Sequence, residues 1–349
     1  MKKLSKLMAV VLAVAMVLAL AACGSTGGAA SGSAAPAASG SGAASGSGSA
    51  APAGDGQTYK IGICQLVQHE ALDAANQGFQ DALTEKLGDA VKFDDQNASG
   101  DSANCSTIVN GFVSDGDDLI LAIATSPLQA AAAATADIPV LGTAVTDYAT
   151  ALEISDWSGT VGTNVSGTSD LAPLDQQAEM LHNLFPDAKN VGLLYCSAEP
   201  NSVYQCTVIE GYLKELGYNV TWYAFNDTND VTSVTETAAD NSDVIYIPTD
   251  NTAASNTEAI ANVVLAKKVP IIAGEEGIAR GCGVAALSIS YYDLGYQTGL
   301  MAYDILANGA DVSTMAVQTA PSVTKKYNAA NAEALGITIP DDYEAIAED

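Results

Sequence analysis

The chain repeats itself. Asn190-Val191-Gly192-Leu193-Leu194-Tyr195 parallels Tyr59-Lys60-Ile61-Gly62-Ile63-Cys64, and Lys214-Glu215-Leu216-Gly217 parallels Glu85-Lys86-Leu87-Gly88. Asp243-Val244-Ile245-Tyr246-Ile247 parallels Asp118-Leu119-Ile120-Leu121-Ala122, and Lys268-Val269-Pro270-Ile271-Ile272 parallels Asp137-Ile138-Pro139-Val140-Leu141. The spacings are 130, 129, 125 and 131 residues (192 − 62, 217 − 88, 243 − 118 and 270 − 139). Four landmarks in one order at nearly one spacing imply two halves of the same architecture.

Within the first copy, strand-like and helix-like runs alternate. Tyr59–Gln65 is apolar and extended, Ala71–Leu87 has helical periodicity, and Val91–Asp94 is a short strand. Ser102–Val113 is helical, Leu119–Ala124 a buried strand, Pro127–Thr135 helical, and Pro139–Thr143 a strand. A β-α-β-α series makes a parallel sheet covered on both faces. The fold class is therefore α/β: two Rossmann-like lobes with parallel sheets, joined by a multi-strand hinge. Gly159–Asp170, rich in Gly, Thr and Ser, reads as the first crossing strand between the lobes. Tyr291-Tyr292-Asp293-Leu294-Gly295 opens a second crossing, with a helix to about Leu306 returning to the first lobe. The expected division is 57–163 plus 291–312 for lobe 1, and 164–290 plus 313–349 for lobe 2. Two lobes on several crossings form a hinge that closes around a ligand.

The N-terminus is of another kind. Lys2, Lys3 and Lys6 precede an apolar run from Leu7 to Ala22, the charged and hydrophobic regions of a signal peptide over residues 1–22. The run is short for a membrane span. It closes on Leu20-Ala21-Ala22-Cys23, which resembles the bacterial lipobox, where the cysteine is acylated with chains such as palmitate and becomes the new N-terminus. Each buried CH₂ contributes roughly 0.8 kcal/mol, so two or three chains hold a protein on a bilayer. Residues 23–56 are the lipidated cysteine and a Gly/Ser/Ala/Pro linker, too poor in large apolar side chains to fold. The expected location is the outer face of the bacterial cell membrane, with the lipid anchor as the sole membrane contact.

Charge narrows the partners. The chain has 13 basic and 41 acidic residues, and loss of the three N-terminal lysines leaves 10 − 41 = −31. So acidic a body repels nucleic acid and anionic lipid. Five cysteines remain besides Cys23, without a C-x-x-C pair, and Cys196 with Cys206 is the one disulfide pairing to watch. His69 and His182 are the only histidines and neither has zinc-ligand spacing, so no metal site is expected. No phosphate loop or dinucleotide turn is present, and neither histidine stands in a Ser/His/Asp setting. No catalytic residue, no cofactor and no enzymatic activity are expected, and the body is expected to be a monomer.

Ligands of open parallel sheets bind beyond the carboxyl ends of the strands. Those ends are Gln65–Glu70, Thr125–Gln129 and Thr143–Tyr148 in the first copy, and Ser197–Ser202, Thr249–Thr252 and Gly274–Glu276 in the second; none contains Lys or Arg. Thr125-Ser126, Asn201-Ser202 and Asn251-Thr252 open helices, whose free N–H groups hold a carboxylate. Asp147, Glu199, Asp250, Glu275 and Glu276 suit an ammonium group. Together they describe an α-amino acid. The same residues are also ordinary helix caps. Tyr148, Tyr195, Tyr246 and Tyr292 lie near these ends, where they could stack on an aromatic or cationic ligand.

Ile61-Gly62-Ile63-Cys64-Gln65-Leu66-Val67-Gln68-His69-Glu70-Ala71-Leu72-Asp73 with Gln77-Gly78-Phe79 resembles the opening motif of a substrate-binding family of ABC importers. Ala122-Ile123-Ala124-Thr125-Ser126, Ala144-Val145-Thr146-Asp147, Glu199-Pro200-Asn201-Ser202, Pro248-Thr249-Asp250-Asn251-Thr252 and Tyr291-Tyr292-Asp293-Leu294-Gly295 follow in the family's order. The resemblance spans roughly Tyr59 to Pro340. It implies a periplasmic-binding fold of type I, delivery of ligand to an ABC permease, and binders of tryptophan and tyrosine as relatives. It also implies that Gln65, Thr125, Asp147, Glu199, Asn201, Ser202, Asp250 and Asn251 lie at the ligand. Ser126, Tyr148, Thr252 and Glu275 complete the candidate set. Asp147-Tyr148 and Ser126-Pro127 depart from the family's usual Asp-Pro and Pro-led phrases. On this reading, Ala at Asp250 or Glu199 weakens binding and leaves the fold intact. A surface sensor or adhesin on the same fold, or a binder of another small ligand such as a nucleoside, are the competing readings.

Overall fold

The computed structural model describes residues 58–347. The expected signal peptide, Cys23 and the linker lie outside the described residues.

The first half alternates as the sequence predicts. It runs β1 (Tyr59–Gln65), α1 (Glu70–Leu87), β2 (Val91–Asn97), α2 (Ser102–Asp115), β3 (Leu119–Ile123), α3 (Thr125–Ala134), β4 (Val140–Val145), α4 (Tyr148–Ala151) and β5 (Val165–Ser169). β3 and β4 are buried at every position, as strands covered on both faces must be. The second half runs α5 (Leu174–Leu184), β6 (Asn190–Cys196), α6 (Pro200–Glu215), β7 (Asn219–Phe225), α7 (Val231–Asn241), β8 (Val244–Ile247), α8 (Asn251–Ala254), α9 (Thr257–Lys267), β9 (Ile271–Ala273), α10 (Glu276–Gly281) and β10 (Ala285–Ser288). The chain then returns through α11 (Tyr291–Asn308) and β11 (Gln318–Thr319), and ends in β12 (Thr324–Tyr327), α12 (Ala329–Leu335) and β13 (Glu344–Ala345).

Strand order proves the repeat. One sheet is β2-β1-β3-β4-β5-β11 and the other β7-β6-β8-β9-β10-β12-β13, so the first five strands of each follow one plan. Among the described residues, all pairings between these named strands are parallel except β10 with β12. A shared staple confirms the match. Asp118 Oδ2 accepts the Lys60 amide at 2.8 Å, and Asp243 Oδ2 accepts the Lys189 and Asn190 amides at 2.8 Å each. In both copies a carboxylate ahead of the third strand fastens the start of the first.

Each lobe receives one covering helix from beyond a crossing. α5 packs on α6, and its Gln177 Oε1 accepts the Tyr246 hydroxyl of β8 at 2.5 Å. α11 lies along α1, where Gly78, Gly295 and Gly299 bring the backbones together.

The lobe boundaries differ from the expected 163/164 and 312/313 divisions. β5 pairs with β4, and β11 with β5, so 165–169 and 318–319 belong to the first sheet. The crossings are the short links 170–173, 289–290 and 320–323. The polar run Val165-Ser166-Gly167-Thr168-Ser169 is a fully buried strand because its hydroxyls find partners. Thr168 Oγ1 lies 3.0 Å from Thr143 Oγ1 and 2.9 Å from Thr298 Oγ1, and Ser166 Oγ donates to Met315 O at 3.0 Å. The five described cysteines are free, so Cys196 and Cys206 are not joined. Cys196 packs in one core cluster and Cys206 in the other.

Candidate functional site

The carboxyl ends of the two sheets face each other and the lobes are in contact. His69, ahead of α1, places Nε2 3.2 Å from Asn251 Oδ1 at the start of α8. Arg280 on α10 reaches across to Glu70 at 2.8 Å. α4 of the first lobe meets α6 of the second. Between the lobes lies a pocket of about 350 Å³, within the range of small-molecule sites. Leu66, Val67, Ser99–Ser102 and Ser126 line it on one side; Cys196, Ala198, Glu199, Asn226–Asn229, Asn251, Thr252 and Ser255 line the other. It has no Lys or Arg in its wall.

Of the carboxylates expected at an ammonium, Asp147, Glu199, Asp250 and Glu275 are occupied by helix-start amides, and Glu276 by side chains of its own lobe. Glu199 Oε1 accepts the Thr252 amide at 2.9 Å and its hydroxyl at 2.8 Å. Its Oε2 accepts the Asn251 amide at 3.0 Å and side-chain amide at 2.7 Å. Asp250 Oδ1 caps α8 through the Ala253 amide at 2.8 Å, while Oδ2 takes the Cys196 amide at 2.6 Å and so ties α8 to the end of β6. Burial and the neighbouring Glu199 charge push the Asp250 carboxyl up to about 8, against the pull of those two amides. Glu275 accepts the Gly277 and Ile278 amides of α10 at 2.6 Å each, and burial raises it to about 7. Asp147 accepts the Thr150 amide at 2.7 Å. Glu276 meets Arg280, Lys326 and Ser288 within its own lobe. The cleft is thus edged by short helices whose starts are held by their own acids.

The remaining candidates divide. Asn201 donates to Thr249 O at 3.0 Å, and Ser202 is fully buried beneath it. Gln65 donates to Val67 O and Asp73 at 2.9 and 2.6 Å and accepts from Asn76 at 3.0 Å, which shapes the turn from β1 into α1. Thr125 and Ser126 open α3, the one of these cleft helices that follows a non-glycine residue at positive φ: Ala124 at 91°. α3 carries no side-chain cap, so its first-turn N–H groups have no partner within the helix.

Tyr148 turns into the first core and away from the pocket wall. It is 1% exposed, its hydroxyl donates to Thr168 O at 3.1 Å, and it lies over Gly142 and Gly167 in the first core. Tyr246 is likewise buried against Gln177, Tyr195 packs edge-on to Trp222, and Tyr292 faces outward to Asp81. The ring of Tyr148 fits in the first core because Gly142 and Gly167 have no side chains.

Two lining segments were not singled out by the sequence pattern: Ser99–Ser102 after β2 and Asn226–Asn229 after β7. A signal exists. Asn97-Ala98-Ser99-Gly100-Asp101 and Asn226-Asp227-Thr228-Asn229-Asp230 stand 129 residues apart (226 − 97), the spacing of the repeat. Both close an Asx-type turn: Asn97 Oδ1 accepts the Ser99 amide and Asp227 Oδ1 the Asn229 amide, each at 2.8 Å. Asp170 and Tyr291, at the first two crossings, were also passed over as a pair; the Tyr291 hydroxyl donates to Asp170 Oδ2 at 2.9 Å.

Comparison with known proteins agrees with this geometry. A tyrosine-binding protein of Clostridioides difficile (strain R20291) is 39% identical over 262 residues, covering 74% of this chain and 75% of that one. An ABC domain from Streptococcus pneumonia solved in complex with L-Trp is 35% identical, with TM-score 0.78 over 82% of this chain and 97% of that one. The ligand-free, open structure of a substrate-binding protein with adhesive properties from Clostridium difficile is 38% identical, with TM-score 0.64 over 84% and 100%. Nearly equal identity with a lower score for the open form fits the interlobe contacts seen here. The architecture is that of periplasmic binding proteins of type I. The family model for ABC transporter substrate binding protein matches residues 60–349, and the chain belongs to that family.

Proposed function

We propose that the protein captures an aromatic α-amino acid between its lobes and delivers it to an ABC permease, held outside the cell by a lipid on Cys23. The carrying observation is the interlobe pocket: about 350 Å³, walled by both lobes, without a cationic side chain, and with the uncapped start of α3 at Ser126. An uncapped helix start receives a carboxylate through backbone N–H groups, and an acidic wall favours an ammonium. A sugar requires neither. The L-Trp complex and the tyrosine-binding relative support an aromatic side chain. One copy of the chain supplies both walls, so a monomer suffices. Calorimetry against all amino acids is expected to give binding of L-tyrosine or L-tryptophan, without turnover. A sugar or nucleoside binding where no amino acid does would overturn the reading.

Export and anchoring rest on the basic N-terminus, the apolar run and Leu20-Ala21-Ala22-Cys23. Cys23→Ser is expected to abolish fatty-acid labelling, shed the protein into the medium and reduce uptake of the labelled amino acid. Retention of both the label and the anchored protein would refute the lipidation site. The relative with adhesive properties favours one second reading, a surface adhesin. That reading gains if deletion leaves uptake intact and removes adherence.

A further inference from the structure

We propose that Asp170 is the acceptor for the ligand's α-ammonium group, which makes the hinge itself part of the binding site. The inference rests on the amino-acid reading and deepens it. Among the carboxylates around the cleft, Glu199, Asp250 and Glu275 have both oxygens engaged by backbone amides. Asp170 differs. It is 3% exposed; Oδ2 accepts the Tyr291 hydroxyl at 2.9 Å, the nearby Thr146 side chain also favours the charged carboxylate, and among the described residues Oδ1 makes no hydrogen bond of normal geometry. A buried acceptor left unmet carries a desolvation penalty, so a partner that arrives with the ligand recovers free energy that a capped carboxylate cannot.

The surroundings select a small cation. A cavity of about 10 Å³ is lined by Asp170 with His69, Asp250, Asn251, Glu275 and Tyr291, among others. That is room for one water-sized group, and an ammonium is such a group. Its wall contains no Lys or Arg. Asn251 also lines the larger pocket, so the two spaces share a wall.

Position relative to α3 fits the same ligand. β3, β4 and β5 are successive neighbours in the first sheet, and Asp170 directly follows β5 as Ala124 and Thr125 follow β3. Two strand spacings are about 10 Å. A carboxylate and an ammonium on one carbon, each with a hydrogen bond of about 3 Å, bridge a comparable length. Asp170 lies on the link into α5, and Tyr291 begins α11 after the link from β10. An ammonium on Oδ1 therefore engages the two crossings at the hydrogen bond that joins Tyr291 to Asp170.

The test compares the full chain with its Asp170→Asn variant, using L-tyrosine, L-tryptophan and the corresponding arylpropionates, which lack only the ammonium. Wild type is expected to bind one amino acid far better than its arylpropionate. In Asp170→Asn the amino acid is expected to bind about 100-fold more weakly, the usual consequence of truncating a buried charge pair. Arylpropionate affinity should hold, so discrimination collapses. Equal losses for both ligands, or unchanged discrimination, would overturn the assignment while leaving the amino-acid reading in place. Wild type binding arylpropionate and amino acid alike would also remove it. If wild type binds no amino acid, the ligand class falls first. Asp170→Ser serves as the second variant should Asp170→Asn not fold.

Discussion

Gly295→Ala is expected to lower the thermal midpoint by roughly 10 °C, and Gly211→Ala to raise it. Both glycines sit inside long helices, so helix propensity alone favours alanine by about 1 kcal/mol at each. Surroundings reverse the sign at Gly295. A Cβ there would stand 1.8 Å from Ala75 O, backbone that cannot swing aside, whereas at Gly211 nothing lies within 4 Å. Gly299 and Gly78 make the same close approach, with a Cβ 2.7 Å from Phe79 O and 2.1 Å from Tyr292 O. The helices α1 and α11 are therefore held backbone to backbone, and a methyl must push them apart. Overpacking of this kind costs about 3 kcal/mol, and a domain of this size loses about 2–4 °C per kcal/mol. Melting curves of the two variants decide the matter; an unchanged or raised midpoint in Gly295→Ala would show that the helix contact is loose. Ligand affinity should also fall in Gly295→Ala, because α1 begins beside His69 and α11 at Tyr291.

That contact was only half legible in the sequence. The β-α order and the 125–131 residue spacing specify two parallel-sheet lobes, because buried strands and amphipathic helices have distinct periods. Membership of β5 was not legible: Val165-Ser166-Gly167-Thr168-Ser169 has the composition of a surface loop. It is buried only because Thr143, Thr298 and Met315 O satisfy its hydroxyls. Gly167 at φ 141° also lets β5 approach Gly142, whose carbonyl oxygen a Cβ would meet at 2.0 Å. The site shows the same limit. Asp and Glu beyond strand ends serve both as helix caps and as ammonium acceptors, and residue type does not separate the two roles. Only the hydrogen-bond partners separate Glu199, Asp250 and Glu275 from Asp170.

Glu199→Ala is expected to lose ligand binding by at least about 100-fold and stability by about 3 kcal/mol, since buried donors left without an acceptor cost about 1–3 kcal/mol each. The sequence alone predicts only the first effect. In the structure Glu199 is 6% exposed and receives donors from Asn251 and Thr252, so it holds the first turn of α8 in place. Asn251 in turn faces His69 across the cleft, so freeing α8 removes a contact between the lobes. Urea titration measures the stability loss, and hydrogen exchange at Asn251, Thr252 and Ala253 locates it. Fast exchange confined to those amides, together with lost binding, identifies Glu199 as a brace for the second wall. Lost binding with native exchange and native stability would instead place the carboxylate on the ligand. The distinction matters for closure, because a braced α8 offers the incoming lobe a fixed surface, whereas a loose one would have to be ordered at each capture and would weaken affinity by that cost.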